Sequence, residues 1–454
     1  MSAAQSAAPP VLVILGASGD LTSRKLIPAL YELHRKGRLA EGVRILGFSR
    51  TKFSDEAWRN ELAKSTPQFV GDDFDRSTWE EFSQQIRYLP GDIGNREDLQ
   101  NLASTLDAWD DGRPSARIYY LSTAPRFYEP AVEQLAACDL ATENDPAAPR
   151  RVVVEKPFGT DLASARRLNE SLHRAFQERQ VYRIDHYLGK ETVQNLLVLR
   201  FANTIFEPIW NRNYVEHVQI TVAEEVDVGK RASYYDSAGV VRDMIQNHLL
   251  QLLMITAMEA PVRYEADAIR DEKVKVLQAV RGLEEEMVCR NTFRGRYRGY
   301  VETDGVASDS DTATFAAIKL DVDNWRWQGV PFYLRSGKAM SCRTTQIVIQ
   351  FREPPQRLFR DSPAGLAAAN RLVIQVQPAE GIQLHFQTKV PDAEMRLRQT
   401  DLDFNYQREF RSEMPGAYER LLLDALDGDA SLFARSDEVE AAWRICDAVL
   451  ESWK

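Results

Sequence analysis

Near its start the chain reads Val11-Leu12-Val13-Ile14-Leu15-Gly16-Ala17-Ser18-Gly19-Asp20-Leu21, and this stretch decides the fold of the first part of the protein. Its first five residues form a continuous apolar run, which is typical of a buried parallel strand. A helical pattern follows from Leu26 to Leu39. A strand, a glycine turn and a helix in this order predict an α/β domain that binds a dinucleotide phosphate at the helix N-terminus.

The glycine turn is therefore the predicted phosphate site. Its candidate cofactor-binding residues are Gly16, Ser18, Gly19, Asp20 and Leu21. The turn has only two glycines, and Thr22 stands where the usual fingerprint has a third glycine or an alanine. Lys25 lies near the start of the helix and can reach an anion. A tight turn that binds no ligand is the alternative interpretation.

The end of the second predicted strand, Val43 to Phe48, indicates which cofactor is bound. A unit that reads the ribose hydroxyls directly carries Asp or Glu there, whereas this chain carries Arg50, which can accommodate a 2′-phosphate. This favours NADP over NAD, although a surface arginine at a strand end remains possible and Arg50 alone does not exclude NAD. Two further residues are expected near the cofactor, Asp92 on the adenosine side and Tyr120 at the end of the strand Arg117–Leu121.

The stretch Tyr182-Arg183-Ile184-Asp185-His186-Tyr187-Leu188-Gly189-Lys190-Glu191 concentrates ionisable side chains before a helical pattern. If Lys190 lies in the first turn of that helix, His186 and Lys190 are one turn apart and share a face. This pair suits a phosphate dianion. We expect Asp185 to point elsewhere and to pair with a more distant cation. The alternative is a surface helix start with ordinary ion pairs.

The second half of the chain combines a long helix with many strands. The helix, predicted from Val240 to Leu253, has a buried apolar stripe that contains His248, either a functional residue or a buried neutral histidine with one hydrogen bond. A strand is predicted at Val215 to Val222. Beyond Asp311, the predicted strands are 313–320, 330–334, 346–351, 372–377 and 382–387. Their spacing predicts a large, mostly antiparallel sheet.

Length and composition agree with two domains. The 454 residues exceed one ordinary core, so we predict a disordered start at 1–10, a Rossmann-like α/β domain at 11–185 and a larger α+β domain at 186–454. The net charge of −10 argues against nucleic acid and anionic membranes as partners, and no run of about 18 apolar residues occurs. Four dispersed cysteines predict reduced thiols in a cytoplasm, and we expect no metal site.

Three motifs carry a family resemblance. They are Arg183–Glu191, Glu155-Lys156-Pro157-Phe158-Gly159, and Trp325–Lys338 with its Arg-Ser-Gly-Lys end. Together they resemble the glucose-6-phosphate dehydrogenases, and the similarity runs from about residue 11 to 450. The resemblance implies that glucose 6-phosphate is oxidised at C1 to 6-phosphoglucono-1,5-lactone with NADP as the hydride acceptor, the first step of the oxidative pentose phosphate pathway.

The resemblance also implies roles for particular residues. His248 would be the catalytic base, held by Asp185 in one tautomer. Lys156 would lie between cofactor and sugar, before a cis proline. The remaining substrate-binding residues would be His186, Tyr187, Lys190, Glu224, Asp243, Lys338 and Arg343. The outer face of the antiparallel sheet would form a homodimer or homotetramer.

Two alternatives remain open at this point. Glu-Lys-Pro also occurs in a broad group of sugar oxidoreductases with the same nucleotide fold, which would act on another sugar. His186 and Lys190 argue against this group, because a neutral substrate has no use for them. The second alternative is a non-catalytic NADP sensor, which would not need to keep Asp185 and His248.

Overall fold

A computed structural model of the chain describes residues 8–110, 112–113, 115–356, 358, 369–393, 395–410 and 414–454. They form two structural units. The first contains the chain up to Gly189, residues 265–267 and Pro415–Ser436. The second contains Lys190–Tyr264, Ala268–Met414 and Asp437–Lys454. The sequence predicted two contiguous domains and placed residues 415–436 in the second, whereas the structure places them in the first unit.

The first unit is built on a seven-stranded sheet. Its strands are β1 (Ala8–Leu15), β2 (Arg44–Ser49), β3 (Ile86–Pro90), β4 (Ser115–Leu121), β5 (Arg150–Val154), β6 (Val181–Ile184) and β15 (Phe433–Ala434). The order is β15-β6-β5-β4-β1-β2-β3, and only β15 is antiparallel to its neighbour. Strands 3-2-1-4-5-6 are the order of a dinucleotide-binding Rossmann fold, so this fold class is confirmed. Because β1 begins at Ala8, residues 8–10 are not the disordered start that the sequence predicted, and residues 1–7 lie outside the described part.

The described part of the first unit contains helices that, except for the last one, connect its parallel strands. They are α1 (Ile27–Arg35), α2 (Asp55–Ser65), α3 (Pro67–Val70), α4 (Arg76–Ser83), α5 (Arg96–Asp110), α6 (Tyr128–Ala137), α7 (Leu162–Ala175) and α14 (Ala417–Asp427). A short π-helical turn, Thr22–Leu26, precedes α1. The strand β1 is buried from Val11 to Leu15, as expected for the central strand of a sheet that helices cover on both faces.

The second unit contains an eight-stranded sheet. Its strands are β7 (Val215–Ala223), β8 (Thr292–Gly295), β9 (Phe315–Asp321), β10 (Pro331–Gly337), β11 (Thr344–Phe351), β12 (Arg371–Gln377), β13 (Gly381–Lys389) and β14 (Leu397–Asn405). The order is β14-β13-β12-β11-β7-β10-β9-β8, and only β7 and β10 pair in parallel. The predicted, mostly antiparallel sheet is therefore confirmed. Strands β8 and β14 were not predicted.

The helices of the second unit include a π-helical segment, Val241–Leu249, that continues directly into an α-helix. The α-helices are α8 (Glu191–Phe201), α9 (Ala232–Val240), α10 (Leu250–Ala257), α11 (Ala266–Gln278), α12 (Glu285–Asn291), α13 (Tyr406–Phe410) and α15 (Ser436–Ser452). Gly239, with φ of 64° and ψ of 173°, breaks the helical path just before the π-helical segment. The predicted helix around His248 exists, but its first nine residues form wider turns than an α-helix.

Candidate active site

The glycine turn after β1 has a geometry that only glycine tolerates at Gly16. Its φ is +97°, and a Cβ atom there would lie 2.2 Å from the carbonyl oxygen of Ser122 at the end of β4. The amide of Gly16 donates to Phe48 O at 2.8 Å, and the amide of Gly19 donates to Gly16 O at 2.9 Å. The turn thus lies between the carboxyl ends of β2 and β4, beside the point where the strand order reverses. This is where dinucleotides bind in such folds.

Hydroxyl groups surround the turn on the β2 side. The Oγ of Ser18 accepts hydrogen bonds from Ser49 at 2.9 Å and Thr51 at 3.0 Å, and Ser49 also bonds the hydroxyl of Tyr88 at 2.7 Å. Between Ser49 and Thr51, the exposed Arg50 places its guanidinium 5.9 Å from the ring centroid of Phe127. The predicted 2′-phosphate residue therefore lies at the end of β2 with its charge accessible to solvent.

The other predicted cofactor residues of this unit fall into two groups. Asp20 and Lys25 are exposed near the helix start, where Asp20 accepts a hydrogen bond from Arg24 at 3.3 Å. Asp92 instead shapes the turn after β3, because its Oδ1 accepts from the amide of Gly94 at 2.9 Å. A contact of Asp92 with the cofactor therefore stays a prediction.

Glu155 lies in a buried cluster of phenols that the sequence did not indicate. Its Oε1 accepts hydrogen bonds from Tyr120 at 2.6 Å and from Tyr418 at 3.1 Å. Burial raises the pKa of the Glu155 carboxyl, against the lowering effect of these two phenols. Tyr120 is fully buried and donates to Glu155, so its hydroxyl has a structural partner. The bond between Lys156 and Pro157 is cis, as predicted.

The stretch from Asp185 to Lys190 forms a turn between β6 and α8. Asp185 is buried, and its Oδ1 accepts from the amide of Tyr187 at 2.9 Å. Because α8 begins only at Glu191, the prediction that His186 and Lys190 share a helix face is wrong. A Cβ atom at Gly189 would lie 2.6 Å from Ala417 O, so the glycine of this motif permits close packing of the chain against α14.

Four strand ends of the second unit meet at one edge of its sheet. Ala223, the last residue of β7, pairs with Gly337 at the end of β10 and with Thr344 at the start of β11. At the same edge, Gln377 at the end of β12 pairs with Thr345 of β11. The residues that continue these strands, Glu224, Lys338 and Arg343, therefore lie at the same edge. The sequence could not show this convergence, because it depends on strand register.

A carboxylate, an ammonium and a phenol form the first cluster at this edge. The Nζ of Lys338 donates to Oε2 of Glu224 at 2.6 Å and lies 5.3 Å from the ring centroid of Tyr235. Burial raises the pKa of the Tyr235 phenol far above its ordinary value, and the negative charges of Asp243 and Glu224 add to this effect. The predicted residues Glu224, Asp243 and Lys338 are thus neighbours, and Tyr235 is an additional member that the sequence analysis missed.

The second cluster at this edge is cationic. The Nζ of Lys190 donates to Oε1 of Gln377 at 2.8 Å. Burial lowers the pKa of the Lys190 ammonium, the charge of Glu380 opposes this, and the positive charge of Arg343 lowers it further. Lys190 and Arg343 therefore place two positive charges near each other, as a dianion site requires. Gln377 and Glu380 were missed, although a glutamine before Pro378 at a strand end was a visible signal.

His248 lies on the π-helical segment and is almost fully buried, with 1% of its surface exposed. Hydrogen bonds in a π-helix join residues five positions apart, so Asp243 and His248 are separated by one turn of this segment. An α-helix would separate the two side chains by more than a turn. The wider turns therefore place a carboxylate and an imidazole on neighbouring positions of one helix face.

Comparison with known proteins decides the family. Residues 13–195 match the family described as "Glucose-6-phosphate dehydrogenase, NAD binding domain", and residues 197–454 match "Glucose-6-phosphate dehydrogenase, C-terminal domain". The chain belongs to the glucose-6-phosphate dehydrogenase family. Among relatives, "Glucose-6-phosphate 1-dehydrogenase 2" of Mycobacterium bovis is 44% identical over 98% of this chain and 89% of its own. "Glucose-6-phosphate 1-dehydrogenase" of Rhizobium meliloti is 43% identical over 97% and 90%.

Solved structures of glucose-6-phosphate dehydrogenases have the same fold. One, described as a glucose-6-phosphate dehydrogenase in complex with glucose-6-phosphate, is 36% identical with a TM-score of 0.88 and covers 99% of this chain and 92% of its own. A levoglucosan dehydrogenase in complex with NADH has a TM-score of 0.53 at 10% identity, which shows only a shared fold. No helix among the described residues is long and apolar enough to cross a membrane.

Proposed function

We propose that this protein oxidises the C1 hydroxyl of glucose 6-phosphate to 6-phosphoglucono-1,5-lactone and transfers the hydride to NADP, as the first step of the oxidative pentose phosphate pathway. The observation that carries the proposal is the similarity over nearly the whole chain to relatives named for this activity, at 44% identity in the Mycobacterium bovis protein. A 36% identical structure is described as a complex with glucose-6-phosphate.

The cationic cluster is the proposed site for the sugar phosphate. Lys190 and Arg343 supply two positive charges, and burial lowers the pKa of Lys190, which reflects the cost of desolvating its ammonium group. A phosphate dianion offsets this cost. We propose that His186 contributes a further donor and that Tyr187 helps to position the substrate.

The first cluster is the proposed site for the sugar hydroxyls. Glu224 and Asp243 are acceptors, and Lys338 is a donor that Glu224 already holds at 2.6 Å. Groups fixed before the substrate arrives lose less conformational entropy on binding. A sugar bound in this way presents its C1 hydroxyl to a base at a fixed position.

His248 is the proposed base. An imidazole with an ordinary pKa of about 6.5 can accept the C1 hydroxyl proton near neutral pH. We propose that Asp185 orients this imidazole and stabilises its charged form, the role of the carboxylate in Asp–His pairs. Asp185 and His248 are each almost fully buried in their own units, so a charge on either side chain requires a compensating partner.

The residues of the glycine turn fit a dinucleotide. Glycine at position 16 lets the turn pack against the end of β4, and the proposed contacts with the dinucleotide include Gly16, Ser18, Gly19, Asp20, Leu21 and Lys25. Arg50 would bind the 2′-phosphate that distinguishes NADP from NAD, and Lys156 would lie between the cofactor and the sugar. When bound, the nicotinamide supplies the hydride acceptor.

The finer partner and location assignments are also proposals. We propose that the face of the eight-stranded sheet turned away from the helices joins two copies of the chain, and that the enzyme works in the cytoplasm. The four cysteines are free thiols, which supports a reducing compartment. Light scattering at several protein concentrations tests the first assignment, and fractionation of the source cells tests the second.

The decisive experiment follows the absorbance of the reduced nicotinamide with four pairings of substrate and cofactor. Glucose 6-phosphate and NADP should react rapidly, whereas glucose with either cofactor should not. Reduction of the cofactor with glucose but not with glucose 6-phosphate would favour the broader sugar oxidoreductases that share Glu-Lys-Pro. Cofactor binding without any reduction would favour the NADP sensor. His248→Asn serves as the inactive control for background reduction.

A further inference from the structure

A buried ion pair in the second unit lies outside the proposed active site. The Nζ of Lys273, on α11, is 2.9 Å from Oε2 of Glu438, in the first turn of α15. Neither side chain has any exposed surface. Desolvating two charges carries a large free-energy cost, and an apolar pair of similar volume is often equally or more stable. The pair therefore calls for an explanation other than fold stability.

A third residue connects this pair to the helix that carries His248. The Nε2 of Gln251 lies 3.4 Å from the same Oε2 of Glu438 that contacts Lys273. Gln251 is itself buried, with 6% of its surface exposed, and belongs to the first turn of α10. It follows His248 by three residues along the same continuous helix. The shared carboxylate oxygen thus contacts the helix three residues beyond His248.

The position of Gln251 along the helix matters because the helix changes type there. The wide turns end at Leu249 and the α-helical turns begin at Leu250. A π-helical segment is intrinsically less stable than an α-helix and persists where the surrounding structure holds it. An anchor at Gln251 opposes relaxation of the segment into a regular α-helix, which would rotate His248 relative to Asp243.

We propose that Lys273, Glu438 and Gln251 are positioning residues that hold the π-helical segment in register and thereby keep His248 in place for catalysis. The inference rests on the proposed role of His248 as the base. Lys273 acts by fixing the Glu438 carboxylate, which would otherwise be a buried, unbalanced charge. Glu438 in turn holds the amide of Gln251. None of the three residues needs to touch the substrate.

The test compares two variants with the wild-type enzyme. Gln251→Leu removes the connection and keeps the ion pair, whereas the double variant Lys273→Met with Glu438→Leu replaces the pair with apolar side chains of similar size. We expect kcat to fall about tenfold or more in both, since a displaced catalytic group costs rate steeply. The KM for glucose 6-phosphate should stay within about threefold, because the clusters that bind the sugar are unchanged.

A second measurement separates positioning from simple loss of fold. With glucose 6-phosphate deuterated at C1, the isotope effect on kcat should rise in both variants, because the chemical step becomes slower. The double variant should keep a wild-type melting temperature or exceed it. Wild-type kcat in the stable double variant would overturn the proposal. So would a fall in kcat that merely follows the melting temperature in both variants.

Two controls make the outcome specific. Arg281→Met removes a bidentate ion pair with Asp323, at 2.7 Å, in the same unit, and should leave kcat unchanged. His248→Asn tests the premise separately. If His248→Asn retains turnover, the proposed base is wrong. If it loses turnover while Gln251→Leu and the double variant do not, only the positioning role fails.

Discussion

The ammonium of Lys338 donates to the carboxylate of Glu224 at 2.6 Å, although the two residues are 114 positions apart in the chain. Strand register brings them together, since Ala223 and Gly337 pair directly at the ends of the parallel strands β7 and β10. The contact is therefore a product of the sheet rather than of side-chain flexibility. It indicates that the proposed hydroxyl site is assembled before substrate binds.

Truncation of this pair should weaken substrate binding. In Lys338→Ala, Glu224 loses its partner in a half-buried site, and we expect the KM for glucose 6-phosphate to rise about 10- to 100-fold, because a hydrogen bond to a charged group contributes about 1.5–3 kcal/mol. Steady-state kinetics measures this. Lys319→Ala is the control, because Lys319 lies on the neighbouring strand β9 with its side chain 37% exposed. An equal effect in both variants would contradict the assigned site.

Catalysis and phosphate binding should separate between His248 and Lys190. His248→Asn should remove most turnover and leave sugar-phosphate affinity nearly intact. Lys190→Ala should mainly weaken affinity, by roughly 2–5 kcal/mol if the contact is desolvated, because a dianion then loses one of two cations. Titration calorimetry with glucose 6-phosphate measures both affinities. Equal loss of binding in the two variants would contradict this division of roles.

Cofactor choice should depend on Arg50. We expect Arg50→Ala to raise the KM for NADP far more than that for NAD, because only NADP carries the 2′-phosphate. Arg126→Ala is a matched control, since Arg126 also stacks on Phe127, with its guanidinium 4.9 Å from the ring centroid. Similar changes for both cofactors in Arg50→Ala would remove this residue from the 2′-phosphate site.

Gly16 should tolerate no side chain. Gly16→Ala introduces a Cβ atom 2.2 Å from a backbone oxygen at a φ of +97°, so the turn must shift, and NADP affinity should fall at least tenfold. Gly37→Ala measures the cost of a positive φ without a steric clash, because Gly37 has a φ of +62° but no atom within 4 Å of the added Cβ. Its cost should be about 1 kcal/mol of stability with unchanged NADP affinity. Fluorescence titration with NADPH and thermal unfolding test both statements.

The pH dependence of stability should reflect Asp424 on α14. Burial raises the pKa of this carboxyl from 3.8 to about 6, so the native state binds its proton more tightly than the unfolded state does. Stability is therefore lost as the pH rises from about 4 to 6, and above pH 6 the full cost of burying the charged Asp424 carboxylate destabilises the native state. Asp424→Asn should raise the melting temperature near pH 7, with a gain that disappears toward pH 4.

Asp75 provides a control, because its pKa shift has the opposite sign to that of Asp424. Hydrogen bonds from Ser77 and Thr78 lower the pKa of the Asp75 carboxyl to about 2, and its charge caps α4. Its stabilising contribution is present above pH 4 and is lost as the pH falls toward 2. Asp75→Ala should therefore lower the melting temperature near pH 7. A gain in Asp424→Asn that is the same at pH 4 and pH 7 would show that titration of Asp424 is not its cause.

Local patterns were enough to predict much of this protein. A continuous apolar run, a glycine turn and a helical pattern predicted β1 and the Rossmann-like sheet, because propensity and periodicity act over a few residues. The motifs around Lys156 and Asp185 identified the family, which the comparisons confirmed. Alternating strands beyond Asp311 predicted the antiparallel sheet.

Tertiary structure decided what local patterns cannot encode. Gln377 meets Lys190 across 187 residues of chain, and Glu155 meets Tyr418 across 263, through strand pairing and packing. The return of residues 415–436 to the first unit has no local signal either. The start of α8 at Glu191 and the wide turns around His248 depend on packing energies that outweigh intrinsic helix preference. The sequence by itself determined which chemical groups are present, and the long-range register of strands and helices decided which of them meet.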